Sequence, residues 1–415
     1  SGYGSPIGGV AAFDKESGII SPGMIGFDIS CGVRLILTNL KEKEVKSHIK
    51  ELIDGLFKVI PSGVGASGKE KLSDEKLNEI LNYGAKWAVD NGYGWDEDLE
   101  KIELNGYARY ADSKEVSKKA IDRGKGQLGT LGSGNHYLEI QVIKKENIFN
   151  ESIAEKIGIF PDQVVILFHT GSRGLGHQVA TDYLERFNKI MKSKYNIEVN
   201  DRELASVPFN SDDGQSYYKA MGSAVNFAFV NHQFITTKVR DVFSKVFKKS
   251  PEKLGMKILF HVSHNRATVE KHEVDGKVKE LIVHRKGATA SYYPGREEIP
   301  GPYKMYGSPV LIGGSMETES YLLLGSDGSK ETFCSTVHGA GRTMSRAEAK
   351  RKYSGKEIKE MMMKRGIYIN ASSLSGLAEE AGGAYKNVSD VVDVVDKLNI
   401  SKKIVKMIPI GNIKG

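Results

Sequence analysis

Apolar residues recur along this chain with two different periods. Residues 41–60 and 74–92 have helical spacing: Leu77, Ile80, Leu81, Trp87 and Ala88 fall on one helical face, and Gly92-Tyr93-Gly94 stops the second run. Residues 96–125 are charged, with a helix predicted over Ser113 to Arg123. Short apolar runs bounded by glycine predict strands over residues 1–40, ending in Val33 to Leu37, and again at Tyr137 to Val142, Val164 to Phe168 and Lys257 to Val262. Pro309 to Ile312 and Ser320 to Leu324 read as a strand pair around a glycine turn. Helices are predicted from about His177 to Met191, near Tyr217 to Phe243, over 344–364 and over Val388 to Leu398, before a Gly-Asn-Ile-Lys-Gly tail. With neither an internal repeat nor a linker, the pattern predicts one α+β domain spanning 1–415, with mixed sheets surrounded by helices.

Composition narrows the class without naming a function. A chain of 415 residues with 40% hydrophobic and 27% charged residues is long enough to bury a large core and carries no signature of disorder. The net charge of +7 is mild for a nucleic-acid binder, yet compatible with a polyanionic substrate where basic residues cluster. Two cysteines, Cys31 and Cys334, are too few for a disulfide framework and point to a reducing compartment, in which a metal-ligating thiolate is the better use of one of them. With no run long enough to span a bilayer and no signal-peptide pattern, the expected location is the cytosol. The chain opens inside the glycine-rich stretch Ser1 to Val10, and a preceding segment is expected.

Two motif fragments carry little. Gly63-Val64-Gly65-Ala66-Ser67-Gly68-Lys69-Glu70 has P-loop glycine and lysine spacing but puts Glu70 where the magnesium-binding hydroxyl belongs, so a plain loop is expected. His272-Glu273 starts a zincin motif without its second histidine; a polar hairpin before Gly276 explains it. His48, His177, His232 and His272 read as surface or helix residues.

Five other segments share one local design: a ligand-type side chain at the junction of an apolar run and a glycine-rich break. They centre on Asp28 and Cys31, His136 (after Gly132-Ser133-Gly134-Asn135), His169 (before Gly171-Ser172-Arg173-Gly174), His264-Asn265 and His338 (before Gly339-Ala340-Gly341-Arg342). A strand end fixes the direction of a side chain while glycine lets backbone amides approach a ligand. Carboxylate, thiolate and imidazole together form a mixed set that first-row metals accept. Read alone, the first segment is better explained as a buried structural cysteine beside a turn-forming aspartate. The amides after His169 and His338, with Arg173 and Arg342, suit a phosphate, and Asn135 and Glu139 are placed to face the same cavity as His136. A neutral imidazole at 338 is a competent nucleophile toward phosphorus.

Together these segments, in this order, resemble the RtcB family of RNA ligases, the GTP- and manganese-dependent enzymes of transfer-RNA splicing and RNA repair. The resemblance runs from Gly2 to Gly415 and includes His284-Arg285-Lys286-Gly287-Ala288-Thr289, Gly314-Ser315-Met316, Ala384-Tyr385-Lys386 and the terminal Lys414-Gly415. It implies two Mn²⁺ ions, one held by Asp28, Cys31 and His264, the other by Cys31, His136 and His169, with Cys31 bridging. It implies that His338 takes GMP from GTP, that Asn135 contacts the nucleotide phosphates, with the Gly339, Ala340 and Gly341 amides at the same GTP site, and that Glu139, Ser315, Ser320, Tyr385 and Lys414 form the guanosine pocket. Arg173, Arg285, Lys286 and Arg342 are the expected RNA or phosphate contacts. Implied partners are RNA ends, such as transfer-RNA halves, and an archease-type activating protein.

The sequence departs from the family pattern in three ways. It lacks the family's N-terminal segment; Glu317 and Ala290 stand where glycine and arginine are usual; and Ser30 replaces an asparagine. Two rival readings stay open on the residues: a metal-dependent phosphoesterase in which His338 is an acid or base, and a catalytically silent RNA-end-binding protein.

Overall fold

The computed structural model describes residues 4–68 and 72–415. Its centre is a curled sheet. Seven strands follow one another in the order Pro309–Ile312, Ser320–Gly325, Ser401–Lys414, Tyr137–Ile143, Gln163–Thr170, Gly32–Ile36 and Ile258–Ser263, each antiparallel to the next. An eighth, Tyr368–Ala371, adds in parallel to the end of Ser401–Lys414. The first and last strands of the order contact each other, so the sheet is a nearly closed barrel. Its inner face buries Val33, Leu35, Val165, Leu167, Leu311, Leu322, Val405 and Met407.

Burial on both faces explains why these strands read as continuous apolar runs rather than alternating ones: Tyr137–Ile143 and Gln163–Thr170 are buried at every position. The outer face, with Ile36, Leu138, Ile140, Ile166 and Phe168, packs on the helix Ile49–Val59 and on Ile235, Val239 and Phe243 of the 36-residue helix Asp212–Phe247. That long helix starts at Ser211, whose hydroxyl accepts from the Gly214 amide, and ends at Lys248 in the left-handed conformation. Its middle is buried on all sides, as expected of a helix at the centre of a large core. Its first half shares a second core with the helix Asp74–Asp90.

Several predicted elements change in detail. The helix predicted over 344–364 is two helices, Arg346–Lys352 and Gly355–Lys364, because Ser354 interrupts the first and caps the second by accepting from the Glu357 amide. The helix placed at His177 begins at Arg173. The terminal Gly-Asn-Ile-Lys-Gly is not a loose tail: its first four residues end the strand Ser401–Lys414, between Tyr137–Ile143 and Tyr368–Ala371. The polar hairpin is real and long, pairing Asn265–Val274 with Lys277–Lys286 across Asp275 and Gly276, both at positive φ. Of the P-loop-like segment, Gly63 to Gly68 form a loop, and Lys69 and Glu70 lie outside the described residues.

Candidate active site

Strict antiparallel order is what assembles the site. Starts and ends of neighbouring strands alternate along one rim of the barrel: Cys31 precedes one strand, His136 precedes another, His169 lies near the end of a third, and His264 follows a fourth. Register sharpens this, with Val33 and Tyr137 both paired to His169, and Gly32 to Ser263. Glycine makes the approach possible, since a Cβ at Gly132 would lie 2.2 Å from His136 Nδ1, and one at Gly171 would lie 2.6 Å from Asp28 Oδ1.

The ligand-type atoms converge closely. Cys31 Sγ lies 3.2 Å from His136 Nε2 and 3.1 Å from His169 Nε2; His169 and His264 present their Nε2 atoms to each other at 3.2 Å; Asp28 Oδ2 is 3.0 Å from His136 Nε2. Two three-residue sets result: Asp28, Cys31 and His136, and Cys31, His169 and His264. The five residues brought together are those expected, with Cys31 common to both sets. The strand order sets His136 beside the His169 strand and His264 beside the strand that follows Cys31, while Asp28 reaches His136.

Electrostatics suit a cation here. Burial holds the pKa values of His136, His169 and His264 down, leaving neutral imidazoles with free lone pairs. Burial raises the Cys31 thiol, and the Asp28 carboxylate raises it further. Asp28 Oδ1 has no hydrogen-bond partner although buried. A carboxylate oxygen, a sulfur and three imidazole nitrogens converging with the carboxylate partly unsatisfied fit the binding of divalent metal. Ser30, just before Cys31, has φ +55°, a conformation in which asparagine is more at ease than serine.

His338 follows the short strand Ser335–Val337, which pairs with Ala288–Ala290. Its ring is 4.7 Å, centroid to centroid, from that of His264. Burial lowers its pKa, against a hydrogen bond to the Gly287 backbone that raises it. Gly339 bridges Gly313, and the Ala340 amide donates to the Gly313 carbonyl, so the His338 loop lies beside the turn carrying Ser315.

The remaining predicted pocket residues lie on the same rim or just inside it. Glu139 faces into the barrel, where its carboxylate accepts from Gln141 Nε2 and Asn412 Nδ2, both at 2.6 Å. Burial lifts its pKa to about 8, against the hydrogen bonds and the Lys414 ammonium that lower it. Ser320 Oγ accepts from the same Gln141 amide. Lys414 is buried and donates to the His136 carbonyl at 3.3 Å; Ser315 bonds Thr318; Asn135 is partly exposed beside His136. Tyr385 gives its hydroxyl to Glu380 and takes the Arg342 guanidinium over its ring. Glu317 accepts from the Gly382 amide, and Ala290 is buried in its strand.

The basic residues divide. Arg173, in the left-handed conformation, reaches back to Thr130 and the Leu131 carbonyl beside His136; Arg342 bonds Glu380; Lys286 donates to the Gly23 carbonyl. Arg285 is corrected: it is 1% exposed and doubly bonded to Glu270, with Ser335 and Thr268 taking its other donors, so it has no face to offer RNA. His272 is likewise no surface residue but a buried strand residue bonded to Glu270, and His232 sits deep in the long helix with its Nε2 3.2 Å from the Gly32 carbonyl. Sequence reasoning missed Gln141, Asn412 and Glu380, which touch predicted pocket residues, and Arg346, which bonds Glu380. Gln141 alone carried a signal, a polar residue two positions after Glu139 in an apolar strand.

The family described as tRNA-splicing ligase RtcB matches residues 1–415, the whole chain. The chain belongs to the RtcB family. Similar relatives bear the same description. That of Thermococcus kodakarensis is 53% identical over 415 residues, covering 100% of this chain and 86% of its own length. Those of Archaeoglobus fulgidus and Aeropyrum pernix are 51% and 50% identical, with the same coverage. The RtcB match includes the stretches on both sides of the Ser30, Ala290 and Glu317 departures. No helix among the described residues is long and apolar enough to cross a membrane.

Proposed function

We propose that this protein is an RNA ligase of transfer-RNA splicing or RNA repair, joining an RNA 3′-phosphate or 2′,3′-cyclic phosphate to a 5′-hydroxyl with GTP through His338. The observation that carries the reading is the His338 ring 4.7 Å from His264, at the edge of a cluster of five converging ligand-type side chains. Asp28, Cys31 and His264 would hold one Mn²⁺, and Cys31, His136 and His169 the other. The ions would supply Lewis-acid stabilisation of phosphoryl oxygens, and the thiolate and imidazoles favour manganese over magnesium.

The protein's own groups then divide the work. The Gly287 hydrogen bond orients the His338 imidazole, and burial keeps it neutral, so a ring nitrogen can attack the α-phosphorus of GTP with pyrophosphate leaving. A cyclic end is first opened by water. The RNA 3′-phosphate oxygen next takes the GMP, breaking the phosphorus–nitrogen bond, and the 5′-hydroxyl displaces GMP from the capped end. The loop of Gly339, Ala340 and Gly341 and the side chains of Asn135, Arg173 and Arg342 line the phosphate path, while Glu139 and Lys414 meet the edge of the base and Tyr385 its face, with Ser315 and Ser320 beside them. Candidate residues from Asp28 to Lys414 make the whole chain one catalytic unit.

The test is α-labelled GTP with Mn²⁺ followed by denaturing electrophoresis. Wild type should retain acid-labile label; His338→Ala should retain none, yet still seal RNA whose 3′ end already carries GMP. Label on His338→Ala at the wild-type level would move the nucleophile to another residue, and a wild type that takes no label would move the assignment to a phosphoesterase.

A further inference from the structure

Four donors from four separate segments end on one buried carboxylate, Glu380. Its Oε1 accepts from Arg342 Nη1 at 3.1 Å and from Arg346 Nε at 3.0 Å; its Oε2 takes the Tyr385 hydroxyl and lies 3.9 Å from Lys414 Nζ. Glu380 is 2% exposed and follows the helix Leu374–Glu379, outside every motif considered above. The four donors come from the His338 loop, the helix Arg346–Lys352, the segment before the helix Val388–Lys397, and the last strand of the barrel.

We propose that Glu380 is the positioning residue of the guanosine pocket: it fixes the Tyr385 ring and the Lys414 ammonium without touching the nucleotide. The inference rests on the reading of Tyr385 and Lys414 as base contacts given under the proposed function. Two features of the geometry carry it. Tyr385 is held at its hydroxyl by Glu380 and on its face by Arg342, whose guanidinium carbon is 4.9 Å from the ring centre, and Arg342 is itself held by Glu380. One carboxylate therefore sets both the tilt of the ring and the cation over it. Charge balance is the second feature. Arg342, Arg346 and Lys414 bring three cations to the cluster, Glu379 is shared with Lys350, and Glu139 is pushed toward its protonated form. Glu380 is thus the counter-ion that lets buried Lys414 stay charged beside the base.

The experiment measures GMP binding, which needs no chemistry, in wild type, Glu380→Ala and Glu380→Gln, together with the KM and kcat of GTP labelling. Hydrogen bonds to charged groups contribute about 1.5–3 kcal/mol, which corresponds to roughly ten- to hundredfold in affinity. GMP affinity and GTP KM should weaken by about that factor, kcat at saturating GTP should change less than threefold, and the preference for GMP over AMP should shrink. Mn²⁺ binding, read by electron paramagnetic resonance, should stay at the wild-type level. Should Glu380→Ala not fold, the isosteric Glu380→Gln carries the same expectation, and Tyr385→Phe should reproduce part of the loss. Unchanged GMP affinity in a folded variant overturns the inference, as does a fall in kcat at constant KM, or a wild type that does not bind GMP. Normal GMP binding without labelling in wild type counts against the ligase reading alone.

Discussion

Glu139 offers the sharpest test of the pocket because its charge state is tied to its burial. With a pKa of about 8, its carboxyl is mostly protonated at neutral pH in the free protein. A guanine edge presents two N–H donors and needs the ionised form, so binding must expel a proton. The apparent dissociation constant is then the intrinsic one divided by the ionised fraction, roughly 1% at pH 6, about 10% at pH 7 and about half at pH 8. GMP affinity should rise roughly fiftyfold from pH 6 to pH 8 and about fivefold from pH 7 to pH 8. Glu139→Gln, unable to ionise, removes this slope, and taking the ratio of wild type to variant at each pH cancels titration of the imidazoles nearby. Calorimetry in buffers of different ionisation enthalpy would also detect the released proton. The sign for stability is opposite: the folded protein holds a proton that the unfolded chain has lost, so this group's contribution falls as pH rises from the ordinary glutamate range toward 8. Parallel slopes in wild type and Glu139→Gln would refute the assignment of Glu139 to the base.

Two further expectations concern residues whose roles separate cleanly. Cys31→Ala removes an atom shared by both three-residue sets and should abolish high-affinity Mn²⁺ binding and labelling, whereas Cys334→Ala, buried away from the cluster, should bind Mn²⁺ as wild type does; equal effects in a metal titration would refute the bridge. Arg285→Ala leaves Glu270 buried with only His272, Thr268 and Tyr292 as partners and should cost about 3–5 kcal/mol of stability in denaturant titration. A variant of normal stability with weakened RNA binding would restore Arg285 to the RNA surface.

Much of this protein was legible in its sequence. The runs at Val33, Tyr137, Val164 and Pro309 are strands because they are short, apolar and bounded by glycine, and the long helix before Phe243 showed itself by its period. Cys31, His136, His169, His264 and His338 stood out because each interrupts an apolar run with a side chain costly to bury unpaired. What no local pattern contained was the strand order. Placing Tyr137–Ile143 beside both Gln163–Thr170 and Ser401–Lys414 brought His136 next to His169 and set the last residues inside the barrel sheet. It likewise put Asn412 against Glu139, across most of the chain's length. The same holds for Arg285 and Glu380: charged residues look alike in sequence whether they face solvent or a buried partner, and only tertiary packing supplies the counter-charge that distinguishes them.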